Sequence, residues 1–327
     1  MKTIHVALQA AVRAAVVLGM TASAGLAQAS CGSSYCTLMT DRYAQGNAEA
    51  HLGWSGDLRL EVIDQKKLRS GTSNIQASEV THEEAIERHT KNRNLVTTLG
   101  YGFDRDWSIS LRVPLVHRDH LHDLLDEETG LPGEREQWRF TRLGDVQLIV
   151  RRQFASDTGP DSHAVFGGFK LPTGATHVTN GGSSRAERAL QPGSGTTDFV
   201  VGLAGRHVLD ATNAVIGQAS VTQAVNSDEG FKPGRRLELS AGWSHAYSHS
   251  LGAVLQVNLR RRERDHGAQA EPDNSGSTSL DLSPGVTFGV GGASTLYAYV
   301  QVPVYQKVNG IQLVPRASFV VGLTSDF

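Results

Sequence analysis

Cys31 and Cys36 are the only thiols in the chain, and four residues separate them. A pair this close in an exported protein oxidises to a small disulfide loop; held reduced, the same thiolates would serve a metal or a redox reaction. The spacing is wrong for c-type haem attachment, and no histidine follows Cys36. A copper or zinc site would need more ligands, such as His51. A second group is His117-Arg118-Asp119-His120-Leu121-His122. His120 and His122 stand two apart, so in extended chain they point the same way. With Asp119, Asp123 and Asp126 nearby they offer a surface metal-capture site; the plainer reading is a solvated outer loop. A third group is ionic: Arg59, Glu61, Arg112, Asp145, Arg151, Lys170, Arg206, Glu238, Arg260, Arg262 and Asp281. Arginines ringing a pore would select anions. Paired with Glu61, Asp145, Glu238 and Asp281, they would instead brace its wall. Tyr297, Tyr299 and Tyr305 share the same face, to stack on an aromatic solute or to pack against a plug.

The elements that carry these groups read as strands. Twelve segments show period-two alternation. They are Trp54 to about Leu68, Arg88 to Phe103, Trp107 to Leu115, Phe140 to Phe154, a fifth holding Val165 and Phe169, and a sixth from Asp198 to Arg206. Then come Val215 to Thr222, Leu237 to Ser244, Leu251 to Arg262, Leu280 to Phe288, Leu296 to Tyr305, and Ser318 to Phe327. In each, one face is apolar and the other polar. The ninth sets Leu251, Ala253, Leu255, Val257 and Leu259 against Gln256, Asn258, Arg260 and Arg262. So many charges cannot line a dry core, which argues against a soluble sandwich. They suit a wet or ion-paired lumen with the apolar face turned to lipid. Each segment is near the ~10 residues that cross a bilayer at the usual tilt.

Connection lengths sort by parity. Gly102–Asp106, Ala155–Pro160, Leu209–Asn213, Tyr247–Ser250 and Gly291–Ser294 are short. Lys66–Glu87, Arg118–Arg139, Pro172–Gly195, Asn226–Gly234 and Asp265–Gly276 are long, and only Lys307–Gly310 breaks the trend. Short periplasmic turns and long outer loops are expected of outer-membrane barrels. Residues 1–29 read as a secretory signal: Lys2 and Arg13, an apolar Ala14–Met20 core, then Ala27-Gln28-Ala29. Residues 30–53 lack alternation, hold both cysteines, and read as a periplasmic segment or a lumenal plug. A net charge of −2 gives no reason to expect nucleic acid. No cofactor is expected.

Several stretches add a resemblance. The last strand, with its terminal Phe327, resembles the closing strand of outer-membrane barrels, whose terminal aromatic is the signal read by the outer-membrane assembly machinery. Leu143-Gly144-Asp145-Val146, Gly168-Phe169-Lys170-Leu171-Pro172-Thr173-Gly174 and Leu190-Gln191-Pro192-Gly193-Ser194-Gly195-Thr196-Thr197-Asp198 occur in order. With Val302-Pro303-Val304-Tyr305-Gln306, they resemble the outer-membrane β-barrel family named after the meta-cleavage pathway of phenol degradation. That resemblance runs through nearly all of the mature chain and implies a transporter, without naming a solute. Cys31 to Asp41 resembles a branch that opens on a cysteine pair. His177-Val178-Thr179-Asn180-Gly181 resembles the His-x-Ser-Asn-Gly stretch of outer-membrane phospholipase A, but Thr179 stands where the nucleophilic serine belongs.

The expectation is therefore an all-β protein: a single antiparallel transmembrane barrel of about twelve strands in a Gram-negative outer membrane, both ends periplasmic, bathed in outer-membrane lipid. It is expected to admit small, hydrophobic or aromatic solutes passively and not to be an enzyme. The alternatives are a non-conducting structural or metal-binding barrel and, third, a lipid hydrolase.

Overall fold

Leu58 and Leu60 are 47% and 42% exposed, whereas Arg59 and Glu61 between them are 6% and 0% exposed. That inversion of the soluble-protein rule organises the molecule. The computed structural model describes residues 35, 36, 38–40, 52–80, 85–126, 129, 131–155 and 161–327. The signal segment and Cys31, with its proposed disulfide, lie outside the described residues.

The strands are β1 (Gly53–Ser70), β2 (Ala85–Gly102), β3 (Trp107–Leu125), β4 in two lengths (Pro132–Leu143 and Val146–Ala155), β5 (Ser162–Leu171) and β6 (Asp198–Val208). They continue as β7 (Asn213–Ala224), β8 (Arg236–Ala246), β9 (Leu251–Arg262), β10 (Ser277–Gly291), β11 (Ser294–Val308) and β12 (Ile311–Asp326). Both lengths of β4 pair with β3, so they count as one barrel strand broken at Gly144-Asp145. Each strand pairs antiparallel with its sequence neighbour, and β12 returns to pair with β1 from Ser55↔Asp326 to Ser70↔Ile311. The result is a closed twelve-stranded antiparallel barrel. At one end, here the closing end, Trp54 and Phe327 exchange backbone hydrogen bonds of 3.2 and 3.0 Å. The opposite, loop end carries the long connections.

The connections follow the expected parity with one correction. The stretch Arg118–Arg139, read as a long loop, is a strand hairpin. β3 runs on to Leu125 and β4 starts at Pro132, paired from Leu115↔Leu143 to Leu125↔Pro132. Here the outward face turns polar. Gln137 and Arg139 both donate to Asp119 on the outside, while Val116, Trp138 and Phe140 are buried inside beside Arg118. The lipid-facing pattern therefore stops although the strand does not. His120 and His122 are consequently not in a loop: both lie on β3, fully buried.

A second correction concerns Tyr305. The ladder between β10 and β11 slips between Leu280↔Tyr305 and Asp281↔Pro303. One extra residue turns every later side chain over. Tyr297 and Tyr299 point inward, 1% and 2% exposed, but Tyr305 is 44% exposed on the outside.

The inward tyrosines lie flat across glycines of adjacent strands. A β-carbon at Gly285 would overlap the Tyr299 ring, and one at Gly322 the Tyr297 ring. These glycines are needed for close approach. Gly322→Val is expected to cost roughly 1–3 kcal/mol by overpacking. It should appear as a lower temperature at which the folded, fast-migrating band is lost on electrophoresis; an unchanged temperature would show that the Tyr297 ring has room to move.

Candidate functional site: an arginine-lined lumen

The inner faces of the strands hold groups that need partners. Residues 35–40, so far as they are described, supply some of them. Glu61 accepts the Cys36 N–H at 3.2 Å and pairs with Arg59 at 2.9 Å. Arg59 donates to the Thr40 hydroxyl at 2.6 Å. Gln256 clasps Met39 from both sides: its Oε1 accepts the Met39 N–H at 3.0 Å, and its Nε2 donates to the Met39 carbonyl at 2.8 Å. Arg260 donates to the Tyr35 carbonyl at 3.0 Å, and Arg112 sits 5.9 Å from the centre of the Tyr35 ring. Met39 packs with Ile216, Val254, Tyr297, Tyr299 and Val320, flanked by Cys36 and Leu38. These residues therefore lie within the barrel. The rest of 30–53 up to Leu52 lies outside the described residues.

The three sequence motifs converge on Asp145. Its carboxylate accepts from Lys170 Nζ at 3.0 Å, Gly174 N–H at 3.0 Å, and Ser194 N–H and Oγ at 2.9 and 2.8 Å. Lys170 also pairs with Asp198 at 3.0 Å, and Thr196 donates to Asp198 at 2.7 Å. Thr173 Oγ1 donates to the Gly144 carbonyl and accepts the Val146 N–H, which holds the break in β4. Gly174 and Gly193 pass so closely that a β-carbon on either would collide with the other's backbone. The motifs thus form one knot that pins the 172–197 connection to the wall.

That connection covers the loop end from within. Val178, Ala186 and Leu190 join Val116, Trp138, Phe140 and Leu313 in a small apolar core. Arg118 donates to Asn92 at 2.7 Å and to the Leu190 carbonyl. Arg188 pairs with Asp228 at 2.6 Å, and Arg185 with Glu229 at 2.8 Å, tying this connection to the 225–235 connection.

Beside the inserted segment runs a cavity of about 580 Å³. Of the ionic residues picked out in sequence, Arg59, Arg112, Asp145, Arg151, Lys170, Glu238, Arg260 and Arg262 line it. Glu61 is covered by the inserted segment. Asp281, 5% exposed, accepts from Gln301 and Ser279. Arg206 is half-buried on β6 away from this lining. Sequence reasoning missed Arg236 and Asp57, which share inward parity with Glu238 and Arg59. It also missed Arg118, in the misread hairpin, and Arg188, in a connection without periodicity. Nine basic side chains line the cavity against five acidic ones, although the whole chain carries −2. Several are paired: Lys170 with two aspartates, Arg262 with Asp265 at 2.6 Å, and Arg236 with Glu238 at 3.8 Å.

The histidine groups do other things. His120 Nδ1 bonds the Thr90 hydroxyl at 2.7 Å, and His122 Nε2 lies 3.2 Å from Glu136. Both rings pack on Trp138. Among the described residues, no group of three or more His, Cys, Asp or Glu is placed to hold a metal ion. His177 bonds Thr176 at 2.9 Å and Glu229 at 3.1 Å. Neither ring nitrogen reaches Thr179, so the base–nucleophile contact of a hydrolase is not assembled. Glu187, 7% exposed, sits where burial, then Glu271 and Glu87, hold its carboxyl well above the ordinary value near 4.5.

Two outcomes follow. Asp145→Ala leaves Lys170 and the 172–197 connection without their hub, at a cost of roughly 3–5 kcal/mol for a broken buried pair. Trypsin should then cut at Arg185, which in the wild type is tied down. Glu187 is protonated more firmly folded than unfolded. Its contribution is therefore complete below about pH 4.5 and falls away as the pH rises through its folded value. Tryptic release should quicken with rising pH in the wild type and lose that dependence in Glu187→Gln; an unchanged pH dependence would exclude Glu187 as its source.

Searched by sequence, the chain matches no protein family and no curated protein. In fold it is similar to the COG4313 outer membrane channel from Pseudomonas putida F1: TM-score 0.62 at 11% identity, covering 86% of this chain and 98% of that one. The Pseudomonas putida toluene transporter TodX gives a TM-score of 0.47 at 8% identity, covering 93% of this chain and 98% of that one. The architecture is that of an outer-membrane β-barrel.

Proposed function

We propose that the protein is a passive outer-membrane channel for small anionic solutes, with the closing end periplasmic and the loop end outside. The observation that carries this reading is the lining of the cavity, nine basic side chains to five acidic in a chain of net negative charge. Arg112 makes no direct ion pair among the described residues, Glu61 and Glu238 acting on it only from a distance; its guanidinium faces the Tyr35 ring. In a narrow, partly dehydrated passage such a charge attracts anions. The sequence suggested hydrophobic or aromatic solutes; the charge of the lining favours anionic ones instead. Tyr297 and Tyr299 are covered by Met39, so they are not available to stack on a solute while residues 35–40 are in place. The phospholipase-like alternative has no support from the placement of His177. A non-conducting barrel is the second reading, favoured by the inserted segment and the inward-packed 172–197 connection.

The test is conductance of the refolded protein in planar phospholipid bilayers under a KCl gradient, beside a variant lacking residues 30–51. Discrete steps with a reversal potential on the anion side are expected, and larger steps from the truncated form. Arg112→Glu with Arg260→Glu should lower the anion-to-cation permeability ratio by roughly threefold or more. Cation selectivity in the wild type would overturn the anionic reading. Silence from both forms, with the barrel shown to be folded, would leave the non-conducting reading.

A further inference from the structure

The outside of the barrel is not symmetric between its two ends. Near the closing end the outward side chains are aromatic. Trp54 and Tyr101 meet edge-on at 5.0 Å, Tyr101 and Phe103 at 5.3 Å. Trp107, Trp243, Tyr247, Phe288 and Phe327 are all exposed. Outer-membrane barrels generally carry such girdles at both interfaces; here, among the described residues, the loop end keeps only a smaller set, Phe169 against Phe199 and Tyr305.

On the arc from β9 through β12 and β1 to β2, the loop-end rim is mainly basic, with Tyr305 its one large exposed aromatic among the described residues. Arg261 follows Leu255, Val257 and Leu259 on the outward face of β9. It lies opposite Thr278, which lies opposite Lys307 on β11. Two strand spacings put Arg261 and Lys307 roughly 10 Å apart. On β2, Lys91 and Arg93 follow the exposed Leu99 and Leu95 in the same parity, and they face Asp64 and Val62 of β1. Arg316 is exposed on β12 just above Phe319. The nearby acids are accounted for: Asp64 pairs with Lys66 at 2.7 Å, Asp119, opposite Lys91 on β3, with Arg139 at 3.0 Å, and Glu263 with Arg235 at 3.7 Å. Among the described residues, Lys91, Arg93, Arg261, Lys307 and Arg316 make no ion pair or side-chain hydrogen bond. Unpaired cations at the top of an apolar wall extend toward the head groups. Several of them, spaced along one arc, match a head group bearing more than one phosphate, which guanidinium recognises with paired N–H donors.

We propose that this arc binds a phosphorylated glycolipid of the outer leaflet through its phosphates. The proposal rests on the outer-membrane placement above, but not on conduction. The purified full-length protein would be titrated with bis-phosphorylated lipid A in detergent, beside dephosphorylated lipid A, phosphatidylglycerol and inorganic phosphate, with bound lipid counted by native mass spectrometry. Bis-phosphorylated lipid A should bind and survive inorganic phosphate, and the dephosphorylated form should bind at least roughly tenfold more weakly. The variant Arg93→Gln/Arg261→Gln/Lys307→Gln should lose binding to a similar degree while its heat-modifiability stays that of the wild type. Arg152→Gln, among the aromatics of the closing end, should bind as the wild type does. Equal binding of dephosphorylated lipid A, equal binding of phosphatidylglycerol, displacement by inorganic phosphate, or full binding by the triple variant would each overturn the proposal. Because conductance is measured in phospholipid alone, failure here leaves the channel reading untouched, and the reverse holds too.

Discussion

Everything in this molecule depends on the ladder between the last strand and the first. A sheet edge in lipid would leave a row of N–H and C=O groups with no partner, at several kcal/mol each. Pairing β12 with β1 removes both edges at once. Once the sheet is closed, the faces have no choice: one set of alternate residues meets hydrocarbon and the other meets the lumen. Exposed leucines and buried arginines on the same strand are two consequences of that single closure.

Closure creates the opposite problem inside. Twelve strands enclose a lumen whose wall is rich in guanidinium, carboxylate and amide groups. Where water does not fill it, those groups must find one another or find backbone. The inserted residues 35–40 answer part of that demand, with Met39 amides clasped by Gln256 and the Cys36 N–H on Glu61. Their side chains also fill the space over Tyr297 and Tyr299. What remains open is the more basic side of the lumen. The inserted segment and the cavity beside it are thus set by the same wall chemistry.

The loop end is a different physical regime. Above the lipid the hairpin of β3 and β4 turns a polar face outward, and the apolar side chains it turns inward form a small core that the 172–197 connection completes. The Asp145 knot joins the two regimes, because its carboxylate holds a strand break, the end of β5 and the approach to β6 together. The residues that resembled a family pattern are therefore the ones that dock this connection. Their glycines allow backbones to touch, and their hydroxyls and charges satisfy buried donors.

Much of this could be read from residue order alone. Strand pleating is local, so period-two alternation identified twelve strands and assigned an outward face to each. The charges on the other face implied a polar lumen, and the parity of connection lengths gave the two ends. The limits were equally physical. Alternation failed as a guide from Arg118 to Arg139, where the solvent changes from lipid to water while the strand continues. It misplaced Tyr305, because a slip in the ladder near Asp281 is a property of two strands and not of one. No local pattern announces that Asp145 will hold Ser194, that Arg260 will reach Tyr35, or that Arg188 will face Asp228. The pleat fixes which way a side chain points. Only closure of the barrel decides what it meets there, because those partners lie tens to hundreds of residues apart and are brought together by the fold.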